Sequence, residues 1–341
     1  MISQYYYEST YRHQVYLERL KQGEIEKVLP FLDEWRTSIL TRLTEVEMTD
    51  LSRQRLELLL NAVEQDLSVI NDNVYSTLNQ SFNDLAVYEA QFEANLLSET
   101  LKDFDSVLPA PAQIHAAVFS SIMDLQGRSG GQMIEPFIRG WQQKEVEAYQ
   151  GIIRRGFAEG QTNWQIAKQV KDEIDTSKRN TATMVRTGVQ HIANQARKKV
   201  LQDNGVKKYQ WVSTLDSRTS AFCQRVDNLI FEYGKGPYPP VHPNCRSTTV
   251  PDFPKGFEFL REGETRASIA GQVSGDLDYF DFLKTQSKQF QIDALGKTRA
   301  ALFQNMSKEK FIKLSYNKRF EPLTIAEMKD KEPLIFQRLT A

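Results

Sequence analysis

Few of the residues and motifs on which enzymes and secreted proteins depend are present in this sequence. Its 341 residues include two cysteines and four histidines, and they contain no Walker loop, dinucleotide fingerprint, H-E-x-x-H or G-x-S-x-G motif. No apolar run approaches the roughly eighteen residues of a membrane span, and the N-terminus lacks the apolar segment of a signal peptide. Two cysteines suit a reducing compartment better than a secreted disulfide scaffold. We therefore expect a protein that is made in the cytoplasm and has no membrane partner, whereas the missing enzyme motifs are negative evidence only.

A large excess of either charge is also absent. The chain has 43 Lys and Arg against 44 Asp and Glu, which gives a formal net charge of −1. Proteins that coat nucleic acid by bulk electrostatics normally have a clear basic excess, so any contact with DNA must come from a local basic patch. With 40% hydrophobic and 26% charged residues, the composition is that of a globular protein.

The strongest basic patch lies at residues 178–210, where eight Lys or Arg stand against one acidic residue, Asp203. At the helical period of about 3.6 residues, its arginines fall on one line beside an apolar face. This line has two interpretations. It is either a face that binds DNA phosphates or an acidic partner, or a solvated helix face on which an acidic residue of the same domain holds Arg186. The candidate binding residues are Arg179, Arg186, Arg197, Lys198 and Lys199.

The first third of the chain is expected to be helical. Apolar residues recur at steps of three and four from Leu56 to Leu85, which is typical of a coiled coil or a helical hairpin. This stripe predicts either a bundle core or an arm that packs on a partner subunit, and the sequence leaves both open. Residues 5–43 contain Pro30 and are predicted to form one or two shorter helices. The run Leu-Pro-Ala-Pro-Ala at 108–112 is the best boundary.

Later segments carry clearer signals. Thr162 and Gln165 fit a capping box and predict the start of a helix. A second helix is expected to follow and to end near Gly205, which suits a C-terminal cap. Residues 208–213 alternate and predict a short strand. Aromatic residues in the last third predict a small helical unit or a strap across a neighbouring subunit. They include Phe280, Phe282, Phe290, Phe303, Phe311 and Phe320.

The most informative segment is residues 214–250, which we call the knuckle. It contains both cysteines, one histidine and four prolines. Prolines fix backbone angles and remove amide donors, and glycines permit turns, so the residues of this segment themselves specify a compact loop. His242 and Cys245 form an H-x-x-C pair, and Cys223 lies upstream, so that the three could supply soft ligands to zinc.

Three ligands do not close a tetrahedral structural zinc site. A fourth ligand would have to come from Asp216, Asp227 or water. The residues alone leave three states open for the two thiols: a zinc site, a Cys223–Cys245 disulfide, or two reduced thiols within the knuckle.

The knuckle resembles the signature of a known family. Trp211, Asp216-x-Arg218-Thr219, Cys223 and then Pro-Pro-x-His-Pro-Asn-Cys-Arg at 239–246 are similar to the pattern of the phage head morphogenesis family. Its members are minor head proteins related to the Mu F and SPP1 minor capsid proteins. The resemblance covers roughly residues 110–335. The motif residues that it assigns to the structure of the knuckle are Asp216, Arg218, Thr219 and Arg246.

Three positions depart from the family pattern. Ser220 and Ser247 stand where relatives commonly have additional cysteines, and Gly188 stands where an acidic residue is common. Because the two cysteines are lost together, the resemblance implies that in relatives they bridge each other or share one metal.

The resemblance implies a mainly α fold with a small α+β domain. We expect an elongated N-terminal helical arm at 1–108, a head morphogenesis domain with a short β and loop knuckle at 109–255, and a C-terminal helical extension at 256–341. No cofactor other than zinc is indicated.

The function implied is that of a non-enzymatic minor head protein of a tailed phage. Such a protein would act in procapsid assembly and stay inside the virion near the portal. Its expected partners are the portal protein, the major capsid or scaffolding protein, and packaged double-stranded DNA. Two alternatives remain: a zinc-dependent nuclease, with His242 as ligand or base and Arg218 or Arg246 stabilising the scissile phosphate, and a DNA-binding factor that leaves with the genome at ejection.

Overall fold

The computed structural model describes residues 3–101, 104–125, 131–253 and 265–340. The helices within these ranges are α1 (Ser3–Thr44), α2 (Arg53–Thr100), α3 (Pro111–Phe119), α4 (Ile134–Ala158), α5 (Asn163–Asp203), α6 (Ala221–Val226), α7 (Tyr279–Thr285), α8 (Lys288–Leu295), α9 (Lys297–Gln304), α10 (Lys308–Ser315), α11 (Ile325–Lys331) and α12 (Pro333–Thr340). The strands are β1 (Lys208–Val212), β2 (Ile230–Glu232), β3 (Thr248–Asp252), β4 (Thr265–Ser268) and β5 (Gly271–Ser274). The predicted fold class, mainly α with a small β region, is confirmed. In these ranges no helix has the length and apolar character needed to cross a bilayer.

Helices α1, α2 and α5 pack along one another to form a bundle, and α3 and α4 pack against it. The stripe from Leu56 to Leu85 is buried in this bundle, and Ile70 is partly buried at its edge. The stripe is thus a core within the chain. The same apolar cluster contains Leu97 and Ile114, which lie on either side of the predicted boundary at 108/109. That boundary stays a prediction, and the one at 255/256 lies outside the described residues.

Of the two forms predicted for residues 5–43, one shorter helix or two, the structure has one, because α1 continues through Pro30. Proline inside a helix removes one backbone hydrogen bond and costs about 3 kcal/mol. The neighbouring Val28 and Leu32 are fully buried in the bundle, and burying each such side chain contributes about 1.5–3 kcal/mol. Tertiary burial on both sides of Pro30 therefore outweighs the local cost.

Helix α5 begins where the capping box predicts. Thr162 Oγ1 accepts from the Gln165 backbone N–H at 3.4 Å, and Gln165 Oε1 accepts from the Thr162 N–H at 2.8 Å. The helix then runs to Asp203 without the expected break into two helices, and Gly205 follows it with φ of +81°. Nothing in the sequence between the two predicted halves is a glycine or a proline, so nothing interrupts the backbone hydrogen bonds.

The packing of α5 on α2 explains why Gly188 departs from the family pattern. A Cβ atom at this position would lie 2.8 Å from Cζ of Phe82 and 3.3 Å from Cδ1 of Ile134. Phe82 is fully buried, so its ring has little room to move away. A carboxylate at position 188 would be forced into this apolar contact.

Strand β1 is the centre of a three-stranded antiparallel sheet with the order β2-β1-β3. Trp211 of β1 is opposite Thr249 of β3, and Gln210 is opposite both Ile230 and Val250. The strand predicted at 208–213 is therefore present as Lys208–Val212. Because β1 and β3 are neighbours, the two ends of the knuckle are held side by side.

The C-terminal helices form a second apolar cluster, which includes the aromatic series that the sequence singles out. Phe280, Phe282, Phe303 and Phe311 are buried in it. Phe320 instead packs edge-on against Phe222 and Phe231 of the knuckle. The predicted helical unit is present, whereas a strap across a neighbouring subunit stays a prediction.

His191 of α5 predicts a loss of stability in acid. Burial lowers its pKa to about 3, whereas an unfolded histidine titrates near its ordinary value of 6.5. Below pH 6.5 the unfolded chain therefore binds a proton that the folded chain does not bind until about pH 3. We expect the free energy of unfolding to fall by about 1.4 kcal/mol per pH unit across this window from this group alone.

Chemical denaturation between pH 7 and pH 5 measures this slope. The His191→Gln variant should lose about 2 kcal/mol less than the wild type over that range. His115, which is exposed and stacks on Phe119, provides the control, because His115→Gln should keep the wild-type slope. Equal slopes in all three proteins would contradict the assignment.

Candidate functional site

The knuckle closes on a small apolar core beside β1. Trp211 is fully buried, and its indole N–H donates to Ser213 Oγ at 2.9 Å. Ser213 Oγ in turn donates to the backbone oxygen of Cys223 at 2.8 Å, which holds the start of the knuckle against α6. The other buried members of this core are Phe222, Cys223, Val226, Val241 and Cys245.

A turn at Asp216 joins the two halves of the knuckle. Its carboxylate accepts from the backbone N–H of Arg218 at 3.0 Å and from the hydroxyl of Thr219 at 3.2 Å. Arg246, from the far end of the knuckle, donates to both carboxylate oxygens at 2.7 and 2.8 Å. Burial acts to raise the pKa of Asp216, but the Arg246 contact outweighs it and the pKa lies below its ordinary value. The four family-motif residues therefore form one connected set of contacts.

A second ion pair ties the knuckle to β4. Arg266 donates to the two oxygens of Asp227 at 2.9 and 3.0 Å, and both side chains are buried. The backbone N–H of Ser213 donates to the same carboxylate at 2.7 Å. Burial raises the pKa of Asp227, and Arg266 opposes that shift. Arginines thus engage both Asp216 and Asp227, the two carboxylates that the sequence offers as a fourth zinc ligand.

One polar face of α5 carries the knuckle. Asn194 Nδ2 donates to the backbone oxygens of Pro239 and Ser247 at 3.2 and 3.3 Å, and Gln190 Nε2 donates to Ser247 at 3.1 Å. Asn244 has a φ of +57°, and its backbone N–H donates to Thr187 Oγ1 at 3.0 Å. These α5 residues recur at steps of three and four, which places them on one face. Sequence reasoning missed them, and the recurrence of neutral amides and hydroxyls was the available signal.

Cys223, His242 and Cys245 meet at the centre of the knuckle. Cys223 Sγ lies 3.9 Å from Cys245 Sγ and 3.3 Å from His242 Nε2, and the three ligand atoms all lie within 4.8 Å of one another. Both cysteines are free thiols and both are buried. The side chains that the sequence proposed as zinc ligands are thus brought together by α6 and the 239–246 loop.

The protonation of this cluster is strongly coupled. Burial raises the pKa of Cys223. Burial acts to raise the pKa of Cys245 as well, but hydrogen bonds from Cys223 and His242 outweigh it and lower that pKa. Burial acts to lower the pKa of His242, and Cys245 outweighs it in turn, so the pKa of His242 is raised. The charge state of each cysteine and of His242 therefore depends on that of its neighbours in the cluster.

The two serines that replace family cysteines lie at the same place. Ser220 Oγ is 2.9 Å from His242 Nε2, and it accepts from the Cys223 N–H at 3.3 Å as the N-cap of α6. Ser247 lines the same small cavity as Cys223 and Ser220. Cysteines at 220 and 247 would therefore converge on the Cys223 side chain, as the resemblance implies for relatives.

The structure corrects one member of the basic patch. Arg197 is buried, and its Nε donates to Glu93 Oε2 at 2.6 Å, so this guanidinium is not available to a phosphate. The physical reason is that α2 brings Glu93 of the same bundle against this face of α5. Burial acts to lower the pKa of Arg197, but the charge of Glu93 outweighs it and the pKa is raised. The sequence did not identify Glu93, which lies 104 residues away.

The other patch residues differ in their surroundings. Lys198 lies over the ring of Tyr238, with Nζ 4.9 Å from the centroid. Lys199 pairs with Asp203 at 2.6 Å. Arg179 is exposed and Arg186 is half-buried. A role for these residues in binding DNA or a partner stays a prediction.

Comparisons with known proteins connect this geometry to a family. Residues 149–250 match the model described as phage Mu protein F like protein, and this segment contains all of α5 and the knuckle. The match confirms the resemblance to a phage head morphogenesis family over that part of the chain. An uncharacterized protein of Haemophilus influenzae is 26% identical over 110 residues, which are 31% of this chain and 25% of the relative. The match thus spans about a quarter of the relative's length. No solved structure matches the chain.

Proposed function

We propose that this protein is a minor head protein of a tailed phage, which acts in procapsid assembly and is retained in the virion near the portal. The match of residues 149–250 to the phage Mu protein F like family carries the proposal. The proposed partners are the portal protein and the major capsid or scaffolding protein, with packaged DNA as a further contact. Assembly would place the protein first in the host cytoplasm and then inside the head.

The contacts of the motif residues support a structural role. Asp216 and Arg246 neutralise each other in a bidentate pair, and Thr219 is bonded to the same carboxylate. Asn244 binds α5 through its backbone. Because the polar groups of this motif contact one another and the bundle, they stabilise one conformation of the knuckle. We therefore propose that the knuckle is a rigid surface element for assembly and that the protein is not an enzyme.

Assembly with and without this chain tests the proposal. The portal and major capsid proteins of the same phage are co-expressed, and particles are separated by sedimentation. We expect that omission of this chain reduces the yield of correctly sized procapsids or the infectivity that packaged particles deliver. Procapsids of equal yield and equal infectivity without the chain would contradict a role in head morphogenesis.

One observation favours the nuclease alternative enough to require a test. A small cavity beside the cysteine cluster is lined by His242, Arg246 and Arg218, and the Arg218 side chain is 80% exposed. Metal-dependent nicking of plasmid DNA, lost in His242→Ala and kept in His115→Ala, would support a nuclease. We expect no nicking above background by the wild-type protein.

The ejection-factor alternative depends on the exposed part of the basic patch. It predicts DNA retention that falls steeply with salt and weakens in Arg179→Ala and Arg186→Ala. Arg197 is unsuitable for this test, because its buried pair with Glu93 links it to the stability of the bundle.

A further inference from the structure

We propose that Cys223, His242 and Cys245 bind one zinc ion, with a water molecule as the fourth ligand. The ion would join α6 to the 239–246 loop and so fasten the two halves of the knuckle. This inference concerns the chain's own side chains and holds whether or not the protein acts in head assembly.

The distances between the ligand atoms fit a tetrahedral zinc ion. Bonds of about 2.3 Å to sulfur and about 2.0–2.1 Å to nitrogen, at tetrahedral angles, give edges of about 3.8 Å between two sulfurs and about 3.6 Å between sulfur and nitrogen. The observed edges are 3.9 Å from Cys223 Sγ to Cys245 Sγ and 3.3 Å from Cys223 Sγ to His242 Nε2. These two edges need shifts of only a few tenths of an ångström, and the third, from Cys245 Sγ to His242 Nε2, lies within 4.8 Å.

The orientation of His242 also suits a ligand. Its Nδ1–H donates to the backbone oxygen of Pro243 at 2.9 Å, which leaves the lone pair of Nε2 facing Cys223 Sγ at 3.3 Å and Ser220 Oγ at 2.9 Å. A hydrogen bond of this kind on the outer nitrogen is the usual support of a metal-bound histidine. Two thiolates and one imidazole are soft and intermediate ligands, and this set favours zinc over magnesium or calcium.

The residues around the cluster leave the fourth coordination position of the proposed zinc ion to a water molecule. Asp216 and Asp227 are each held by an arginine through both carboxylate oxygens, so neither is free to turn towards the cluster. Beside the cluster lies a cavity of about 20 Å³, whose lining includes Ser220, Ser247, Cys223 and His242. That volume holds about one water molecule, and the two hydroxyls would bind it. The serines thus occupy the place where further thiolates would close the site.

The test is the metal content of the protein purified without chelators. We expect about one zinc per chain by elemental analysis. Exchange for cobalt should give the sulfur-to-cobalt charge-transfer band of a thiolate site. Cys223→Ser, Cys245→Ser and His242→Ala should each lose most of the metal, whereas His115→Ala should retain it. His115 lies on α3, outside the knuckle.

A second measurement covers the case in which the cysteine variants do not fold. The wild-type protein is stripped of metal and titrated with zinc chloride. We expect its melting temperature to rise by about 4 °C once zinc exceeds the dissociation constant a hundredfold. A chain with neither bound zinc nor a zinc-dependent rise in melting temperature would overturn the proposal. A wild-type mass two hydrogens lower, which shows a Cys223–Cys245 disulfide, would overturn it as well.

Discussion

Replacing Arg197 with methionine is expected to lower the free energy of unfolding by about 3–5 kcal/mol, because it leaves a buried carboxylate without a counter-charge. Glu93 is fully buried, and Arg197 Nε donates to it at 2.6 Å. The same guanidinium donates to Thr248 Oγ1 at 3.2 Å and so connects α5 to β3. The hydroxyl of Tyr6 also bonds to Glu93, which brings α1 into the same network. One substitution therefore disturbs three helices and the sheet.

Urea denaturation of R197M beside two other variants measures this effect. Arg179→Ala, on the exposed face of the same helix, should change the stability by less than about 0.5 kcal/mol. The double variant Glu93→Leu/Arg197→Met removes both charges and should be more stable than R197M alone. If R197M instead unfolded within about 1 kcal/mol of the wild type, the buried ion pair would not be a determinant of the bundle.

Replacing Asp227 with alanine is expected to lower the free energy of unfolding by a similar amount, about 3–5 kcal/mol. The knuckle should lose stability before the rest of the chain. The substitution takes the carboxylate of Asp227 away from the buried guanidinium of Arg266, and it removes the acceptor of the Ser213 N–H. Because Ser213 also binds Trp211 and the backbone of Cys223, the loss would spread to the core of the knuckle.

Hydrogen exchange and urea denaturation together measure the effect of D227A. The amides of residues 213–229 should lose protection, and the whole chain should unfold at lower urea. Glu232→Ala is the matched control, since Glu232 pairs with Lys235 on the exposed side of the same knuckle. A surface pair of this kind contributes at most about 1 kcal/mol. Equal effects of D227A and E232A would contradict the role given to the buried pair.

Local signals were sufficient to predict several elements. The Thr162 capping box, the strand at 208–213 and the stripe from Leu56 to Leu85 depend on neighbours within a few residues, and all three were predicted correctly. The sequence left open whether residues 5–43 form one helix or two, so it could not single out the continuous helix through Pro30. Its stability comes from packing of α1 on α2 and α5, and those contacts are invisible to local propensity.

In the candidate site, too, the sequence identified some residues from their spacing and missed others whose contacts are distant in sequence. Cysteine and histidine spacing identified Cys223, His242 and Cys245, because few other residues in the chain could serve as soft ligands. The line of arginines on α5 did not reveal that Arg197 is buried. Whether an arginine faces solvent or an ion pair depends on which helix lies beside it, and Glu93 is distant in sequence. Arg266 was missed for the same reason, since it reaches the knuckle from β4.

The central claim, that this chain is a component of a phage head, is tested most directly by the composition of purified particles. Heads are isolated from the phage or prophage that encodes the chain, and their proteins are quantified by mass spectrometry. The account predicts the chain in the particles, together with the portal and major capsid proteins and at a small fraction of the copies of the capsid protein. Particles that lack the chain while it remains free in the lysate would contradict the claim.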